Sequence, residues 1–354
     1  MKSGSAAPLV RWASENRTLG LILVAIVVLM SAVNPQRFPT VGNFISMSYQ
    51  LPIIAFLSLG MMVTMLAGGI NLAIVATANF TGIVTVLVLH ALVGETADEA
   101  PLIVALVAMV GGLAAALAVG AVMGYLIAYI EVPAILATLA VMTLLNGVNV
   151  VVTRGYTLSG FPAFLLAIGN GTVFSIPIPF LLLIAVVALL GLFLNRTRTG
   201  LGLYLLGSNP VAARYSNVDV RSVLMRVYVL SAAFSALTAF VMMGQLNSVK
   251  ANYAESYLLV SVLACFLGGV DPFGGAGTLS GMVLAVVILQ LVSTGVNLLR
   301  ADPFFVQAMW GFIILVLVAA NFVGARVSEF RRLRAARIAG TRADAERSHS
   351  APPG

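Results

Sequence analysis

From near its start to about residue 323 the chain repeats one feature: apolar stretches of about 17 to 25 residues, each long enough as a helix to cross roughly 30 Å of hydrocarbon. Only 9% of the 354 residues are charged and 60% are hydrophobic, whereas a soluble domain carries about a quarter charged residues. A water-soluble fold is therefore excluded. The strict alternation of amphipathic strands is missing, and the runs are too long for strands of a transmembrane barrel. Backbone groups in lipid must find partners within the chain, so helices remain. The expected fold class is all-α, a polytopic membrane protein with about ten transmembrane helices and both termini cytoplasmic.

Hydropathy places the spans near 18–33, 44–67, 72–93, 102–125, 132–152, 174–195, 223–245, 257–270, 279–299 and 304–323. The first and eighth are short, so tilt or a broken helix has to make up the difference. Basic residues test the count independently, because short cytoplasmic loops retain them. With both termini inside, Lys2, Arg11, Arg17, Arg196, Arg198, Arg214, Arg221, Arg226 and the seven arginines from Arg326 to Arg347 lie on the cytoplasmic side. Only Arg37, Arg154, Lys250 and Arg300 fall outside. Glu95, Asp98 and Glu99 sit on an outer loop, where acidic residues contribute little to the rule.

This topology divides the chain into a cytoplasmic tail (1–17), a transmembrane domain (18–323) with a cytoplasmic loop at 196–222, and a basic, partly disordered cytoplasmic tail (324–354). Met1 to Val33 has the basic start and apolar core of a signal peptide. The following Asn34-Pro35-Gln36-Arg37 lacks a small-residue cleavage site, so an uncleaved first span is expected. The net charge of +7 flanks spans and faces anionic headgroups, which accounts for it without nucleic acid. Cys265 stands alone inside an apolar run as a buried small residue, and the separated His90 and His349 offer no metal site.

Three polar interruptions carry the functional information. The first lies in the loop from Arg196 to Arg226. Within Gly207-Ser208-Asn209-Pro210-Val211-Ala212-Ala213-Arg214-Tyr215-Ser216, Ser208 or Asn209 can cap a short helix with Pro210 in its first turn. Such a helix is either a surface connector or a knob gripped by a soluble partner. The second is Leu66-Ala67-Gly68-Gly69-Ile70-Asn71-Leu72, followed by Thr77, Asn79 and Thr81. Paired glycines let backbones approach closely, and uncharged polar groups at this depth either bind neighbouring helices or line a hydrated path. The third, Gly268 to Thr278, holds Gly268, Gly269, Gly274, Gly275 and Gly277 with Pro272, a composition that breaks a helix. Asp271 inside it requires a partner or water.

Together these places resemble the permease subunits of the ribose-type sugar ABC importers over roughly residues 40–323. Gly207, Asn209, Pro210, Ala212, Ala213, Arg214 and Tyr215 match that family's cytoplasmic coupling segment. Gly268 to Thr278 matches its second glycine-rich signature, and Gly68-Gly69-Ile70-Asn71-Leu72 its first. The sequence departs from the family at Asn71, where aspartate is usual, at Ala73 (serine) and at Val75 (glycine).

The resemblance implies a multi-pass protein of the bacterial inner membrane that pairs with a second permease copy or a paralogue. ABC ATPase subunits would bind ATP and Mg, and an extracytoplasmic solute-binding protein would deliver the solute. Consistent with that division, no Gly-x-x-x-x-Gly-Lys-Ser/Thr loop occurs, and the only lysines are Lys2 and Lys250. The chain itself is expected to be no enzyme and to bind no cofactor. A sugar presents hydroxyls and no net charge, which makes Asn71, Thr77, Asn79, Asn146, Asn149, Gln245, Gln290 and Asn297 the candidates for lining the path. Permeases of the same build for nucleosides or branched-chain amino acids remain open alternatives. An ion-coupled secondary transporter would place ionisable residues mid-span, where only Glu131 and Asp271 come near, both at helix ends.

Overall fold

The computed structural model describes residues 17–94, 100–302, 304–316 and 319. The expected tails, apart from Arg17, and Glu95, Asp98, Glu99 and His349 lie outside the described residues. In chain order the helices are α1 (Arg17–Val33), α2 (Val41–Leu66), α3 (Ile74–Val93), α4 (Leu102–Ala128), α5 (Ala134–Thr153), α6 (Ala163–Asn170) and α7 (Ile178–Arg196). There follow α8 (Arg198–Ser208), α9 (Pro210–Tyr215), α10 (Val220–Leu246), α11 (Tyr257–Leu267), α12 (Leu279–Leu298) and α13 (Phe304–Val316).

Seven of these, α2, α3, α4, α5, α7, α10 and α12, are long and apolar enough to cross a membrane. The remaining three expected spans are shorter apolar helices, α1, α11 and α13. The eighth span was expected to reach residue 270, but α11 has only 11 residues and stops at Leu267, because Gly268 and Gly269 begin a turn with Gly269 at a positive φ of 75°. The sixth was expected from residue 174; α7 starts at Ile178, after a small hairpin in which β2 (Thr172–Val173) pairs antiparallel with β3 (Ile176–Pro177). A second antiparallel pair joins β1 (Leu158–Ser159) to β4 (Ser248–Val249), with Leu158 opposite Val249.

Two compact units divide the chain, Met1–Gln307 and Ala308–Gly354. Within the first, α2 and α10 are the central helices. Every residue of α2 from Leu51 to Leu66 is buried, as expected of a helix that is hydrophobic on all faces. Helix α10 packs on α4, α2, α3 and α6, while α2 also meets α7, α11 and α12. Helix α1 lies against α12 and α5 against α3.

The closest contacts come from small residues. On α4, Ala108, Gly112, Ala116, Gly120, Gly124 and Ala128 recur every fourth position and all are buried. A Cβ on Gly120 would stand 2.8 Å from the Tyr228 carbonyl oxygen and 2.9 Å from Val229 Cα, so α10 lies with its backbone against α4. Where association cannot draw on exclusion of water, such stripes supply attraction through contact area.

Candidate functional site

The three interruptions singled out in the sequence meet at one end of the first unit. Helix α2 ends at Leu66, α8 ends at Ser208, and the loop after α11 runs past both. The Gly275 amide donates to the Leu66 carbonyl oxygen at 3.0 Å. A Cβ on Gly207 would collide with that same carbonyl and with the Gly275 amide. One on Gly274 would lie 2.8 Å from Gly207 Cα and 2.8 Å from the Gly68 amide nitrogen, and one on Gly275 would collide with Ser208. Gly68, Gly274, Gly275 and Gly277 all have positive φ, so glycine is demanded there by conformation as well as by space.

Side chains reinforce this backbone junction. Tyr204 on α8 donates to the Gly277 carbonyl oxygen at 3.2 Å, and burial pushes its hydroxyl above the ordinary tyrosine range. Asp271, which needed a partner, accepts the Phe273 amide hydrogen at 2.9 Å and is partly open to solvent. Gly69 belongs to a neighbouring contact: a Cβ there would collide with the Tyr228 hydroxyl on α10. Gly268 lies against Met282 at the start of α12, with a hypothetical Cβ 2.8 Å from Met282 Cα.

Helix α9 stands beside the junction. Asn209 accepts the Val211 and Ala212 amide hydrogens at 3.0 and 3.1 Å, and Pro210 occupies the first turn. Of its residues only Ala213 is buried; Ala212 and Arg214 face outward, Val211 is 63% exposed and Tyr215 89%. Phe273, at the tip of the glycine loop, is 87% exposed. The result is a rigidly seated knob with aromatic and basic side chains turned out. The sequence suggested a single short helix in this loop, whereas α8 precedes it as a full helix of 11 residues.

This end also holds Arg196, Arg198, Arg221 and Arg226, with Arg221 3.9 Å from Glu131 and over the Tyr129 ring at 5.6 Å. Four helices begin here under side-chain caps from Thr197, Asn209, Asp219 and Thr278, an arrangement suited to helix starts that face water.

The eight candidate path residues do not converge. Asn71 is fully buried: its carbonyl accepts the Ala73 amide hydrogen at 3.0 Å and its amide donates to Ser231 at 2.9 Å. Asn79 donates to the carbonyls of Ala251 and Tyr253, and Asn149 to that of Ala76. Gln290 donates to Gln50 and Thr294. Each of these three leaves its own amide oxygen buried without a partner, as does the Thr77 hydroxyl. Gln245 is half-buried and donates to the Tyr49 carbonyl at the opposite end of the unit. Asn146 is half-buried on α5, and Asn297 is exposed at the end of α12. Next to Asn146 on α5, Thr143 and Gly147 are exposed, so a polar strip opens outward on a helix otherwise clad in leucine and valine.

A family model described as the permease component of branched-chain amino acid transport systems matches residues 43–320. The chain belongs to this permease family. It is the membrane-spanning subunit of an ABC importer, a multi-pass protein of the inner membrane. The permease is similar to the ribose import permease of Haemophilus influenzae, with 29% identity over 89% of this chain and 96% of the relative. It is 30% identical to the ribose import permease of Escherichia coli K12, over 88% and 94%. The L-arabinose transport system permease of Escherichia coli K12 is 27% identical over 84% and 88%. No solved structure matches it.

The α4 stripe of small residues was missed at the level of sequence, although its fourfold recurrence from Ala108 to Ala128 is visible there. Asn170, Gly169 and Gly244 were missed too. Gly169 and Gly244 press backbone to backbone, with a Cβ on Gly244 standing 2.8 Å from Gly169 Cα, and Asn170 donates to the Gly244 carbonyl at 2.6 Å. Nothing in their spacing, some 74 residues apart, announces the contact.

Proposed function

We propose that the permease carries a monosaccharide or a similar small polar solute inward, driven by ATP that a separate Mg-dependent ATPase subunit hydrolyses. Two of the relatives above are named for ribose import and one for L-arabinose transport, which supports a sugar. The carrying observation is the seating of α9. A solvent-facing helix is joined through Gly207 to the end of α2 and to the loop that starts α12, so a push on α9 reaches the most buried helix directly.

On this reading the arginine-bearing end faces the cytoplasm, both termini lie there, and the domain limits are 1–17, 18–323 and 324–354. Gly207, Asn209, Pro210, Ala212, Ala213, Arg214 and Tyr215 form the docking segment for the ATPase. An external binding protein meets the opposite end. The central path forms against a second permease copy or a paralogue, with the open strip of Thr143, Asn146 and Gly147 on α5 as its wall. The buried asparagines and Gln290 hold helices together beside it. Described helices α1 to α12 contain no aspartate or glutamate, which leaves an ion-coupled carrier without a mid-span carboxylate.

The test is Arg214→Glu. Membrane insertion is expected to stay unchanged, co-purification of the ATPase to fall at least about tenfold, the scale of a charge reversal at a docking contact, and solute uptake to fall with it. Unchanged uptake and recruitment would overturn the docking assignment. The family description also names branched-chain amino acids; competition of labelled ribose uptake by excess leucine or excess arabinose separates the two solute classes.

A further inference from the structure

Away from the junction, α2, α7 and α12 leave a cleft between them of about 360 Å³. Its walls, including Leu51, Leu59, Phe180, Val187 and Val283, are apolar throughout. Val187 and Val283 also line a second cavity of about 500 Å³, so the two adjoin at these side chains. The second is of different chemistry: Asn195, Tyr204, Thr278 and Ser280 contribute to its wall. Arg196 and Arg198, both exposed, follow Asn195 in the chain and have no ion-pair partner among the described residues.

We propose that the adjoining cavities bind one anionic glycerophospholipid, an acyl chain in the cleft and the headgroup at Asn195, Tyr204 and Thr278 under Arg196 and Arg198. Length, apolar lining and charge each point there. From Phe180 to Asn195 the site follows α7 for about 22 Å at 1.5 Å per residue, and one leaflet with its headgroups is roughly 20 to 22 Å deep. Along α2 the cleft runs from Leu51 to Leu59, about 12 Å. Its wholly apolar walls suit a hydrocarbon chain. No carboxylate lines either cavity, and the exposed Arg196 and Arg198, which directly follow the lining residue Asn195 in the chain, supply the positive charge that favours a phosphate-bearing anion at this end. The bilayer supplies such a ligand at high local concentration.

The site has a structural consequence. Tyr204 and Gly277, whose hydrogen bond ties α8 to the glycine loop, both line the headgroup cavity. An occupying headgroup therefore stabilises the seat of α9. This inference requires only that α2, α7 and α12 lie in a bilayer, and it stands whatever the solute is.

The experiment is native mass spectrometry of the full-length permease in detergent, titrated with palmitoyl-oleoyl phosphatidylglycerol and, separately, with the phosphatidylcholine of the same chains. The wild-type chain is expected to retain one phosphatidylglycerol with a preference of roughly tenfold or more, the scale set by two arginines near an anionic headgroup. Val283→Trp, which fills the point where the cavities meet, is expected to lose retention of both lipids; Ala188→Leu is the gentler filling variant if the tryptophan is not folded. Arg196→Gln with Arg198→Gln is expected to keep binding but level the preference. Retention unchanged in a folded filling variant overturns the proposal. So does efficient disulfide cross-linking of Ala188→Cys between two copies, which would hand the cleft to a second permease.

Discussion

The two ends of the first unit are joined in different ways. At the arginine-bearing end, Gly68, Gly207, Gly274 and Gly275 bring three chain segments together backbone on backbone, and an exposed helix rests on the result. At the other end, Gly169 and Gly244 also touch, but amide side chains fasten the contact from several directions. Asn170 donates to Gly244, Gln245 to the Tyr49 carbonyl, and Asn247 accepts the Phe161 amide hydrogen at 3.1 Å. The β1–β4 pair adds a further tie. The first end can pass displacement into α2 because nothing compressible lies between the segments. The second is held as a fixed rim by directional bonds that resist sliding.

The largest effect should come from Gly207→Ala. Its methyl group meets backbone on two sides and cannot be accommodated by a rotamer change, so a loss of about 3 kcal/mol is expected. Thermal unfolding in detergent would show it as a lowered midpoint, together with loss of uptake. The same substitution at Gly147, which has no atom within 4 Å of its added Cβ, should leave the midpoint in place. If both variants behave alike, the close junction is not a structural requirement.

Gln245→Ala should be intermediate. It removes one side-chain bond at the rim, about 1 kcal/mol, and is expected to lower the midpoint while uptake per folded molecule is retained. A selective loss of uptake instead would show that the rim moves during transport. The smallest change in global stability is expected for Asn209→Ala. The cap is worth about 1 kcal/mol to α9 itself, yet α9 is short and exposed, so the midpoint should scarcely move. Its signature is weaker ATPase recruitment, measured by pull-down, with Asn209→Ser restoring it because serine caps nearly as well.

Much of this fold was legible because apolar length is a direct consequence of bilayer thickness. Seven of the ten expected spans fall on helices long enough to cross a membrane and three on shorter apolar helices, and Asn209 and Pro210 stand at the start of α9 as expected. Helix α8 was not legible. Its sequence, Arg198 to Ser208, holds three glycines, which weaken a helix in isolation. Those glycines are there for contact: Gly200 presses on the Phe193 and Leu194 carbonyls, Gly202 on Val218 and Gly207 on Leu66. Tertiary packing overrode local preference. The convergence of residues 68, 207 and 274 could not be read either, since each motif only states that backbones come close, not which ones. Asn71 illustrates the same limit. A buried asparagine that closes on Ala73 and Ser231 looks identical, in sequence, to one that faces a sugar.

The row of alanine and glycine along α4 bears on how a gate can open. With α4 seated so closely on α3 and α10, no gap wide enough for a solute can form among those three without losing contact along the whole length of the row. They must travel as one rotor. Under the proposed pairing with a second permease copy or a paralogue, alternation between inward and outward openings belongs to the seam between the two, and substitutions that enlarge any member of the row should jam the machine in every state rather than favour one.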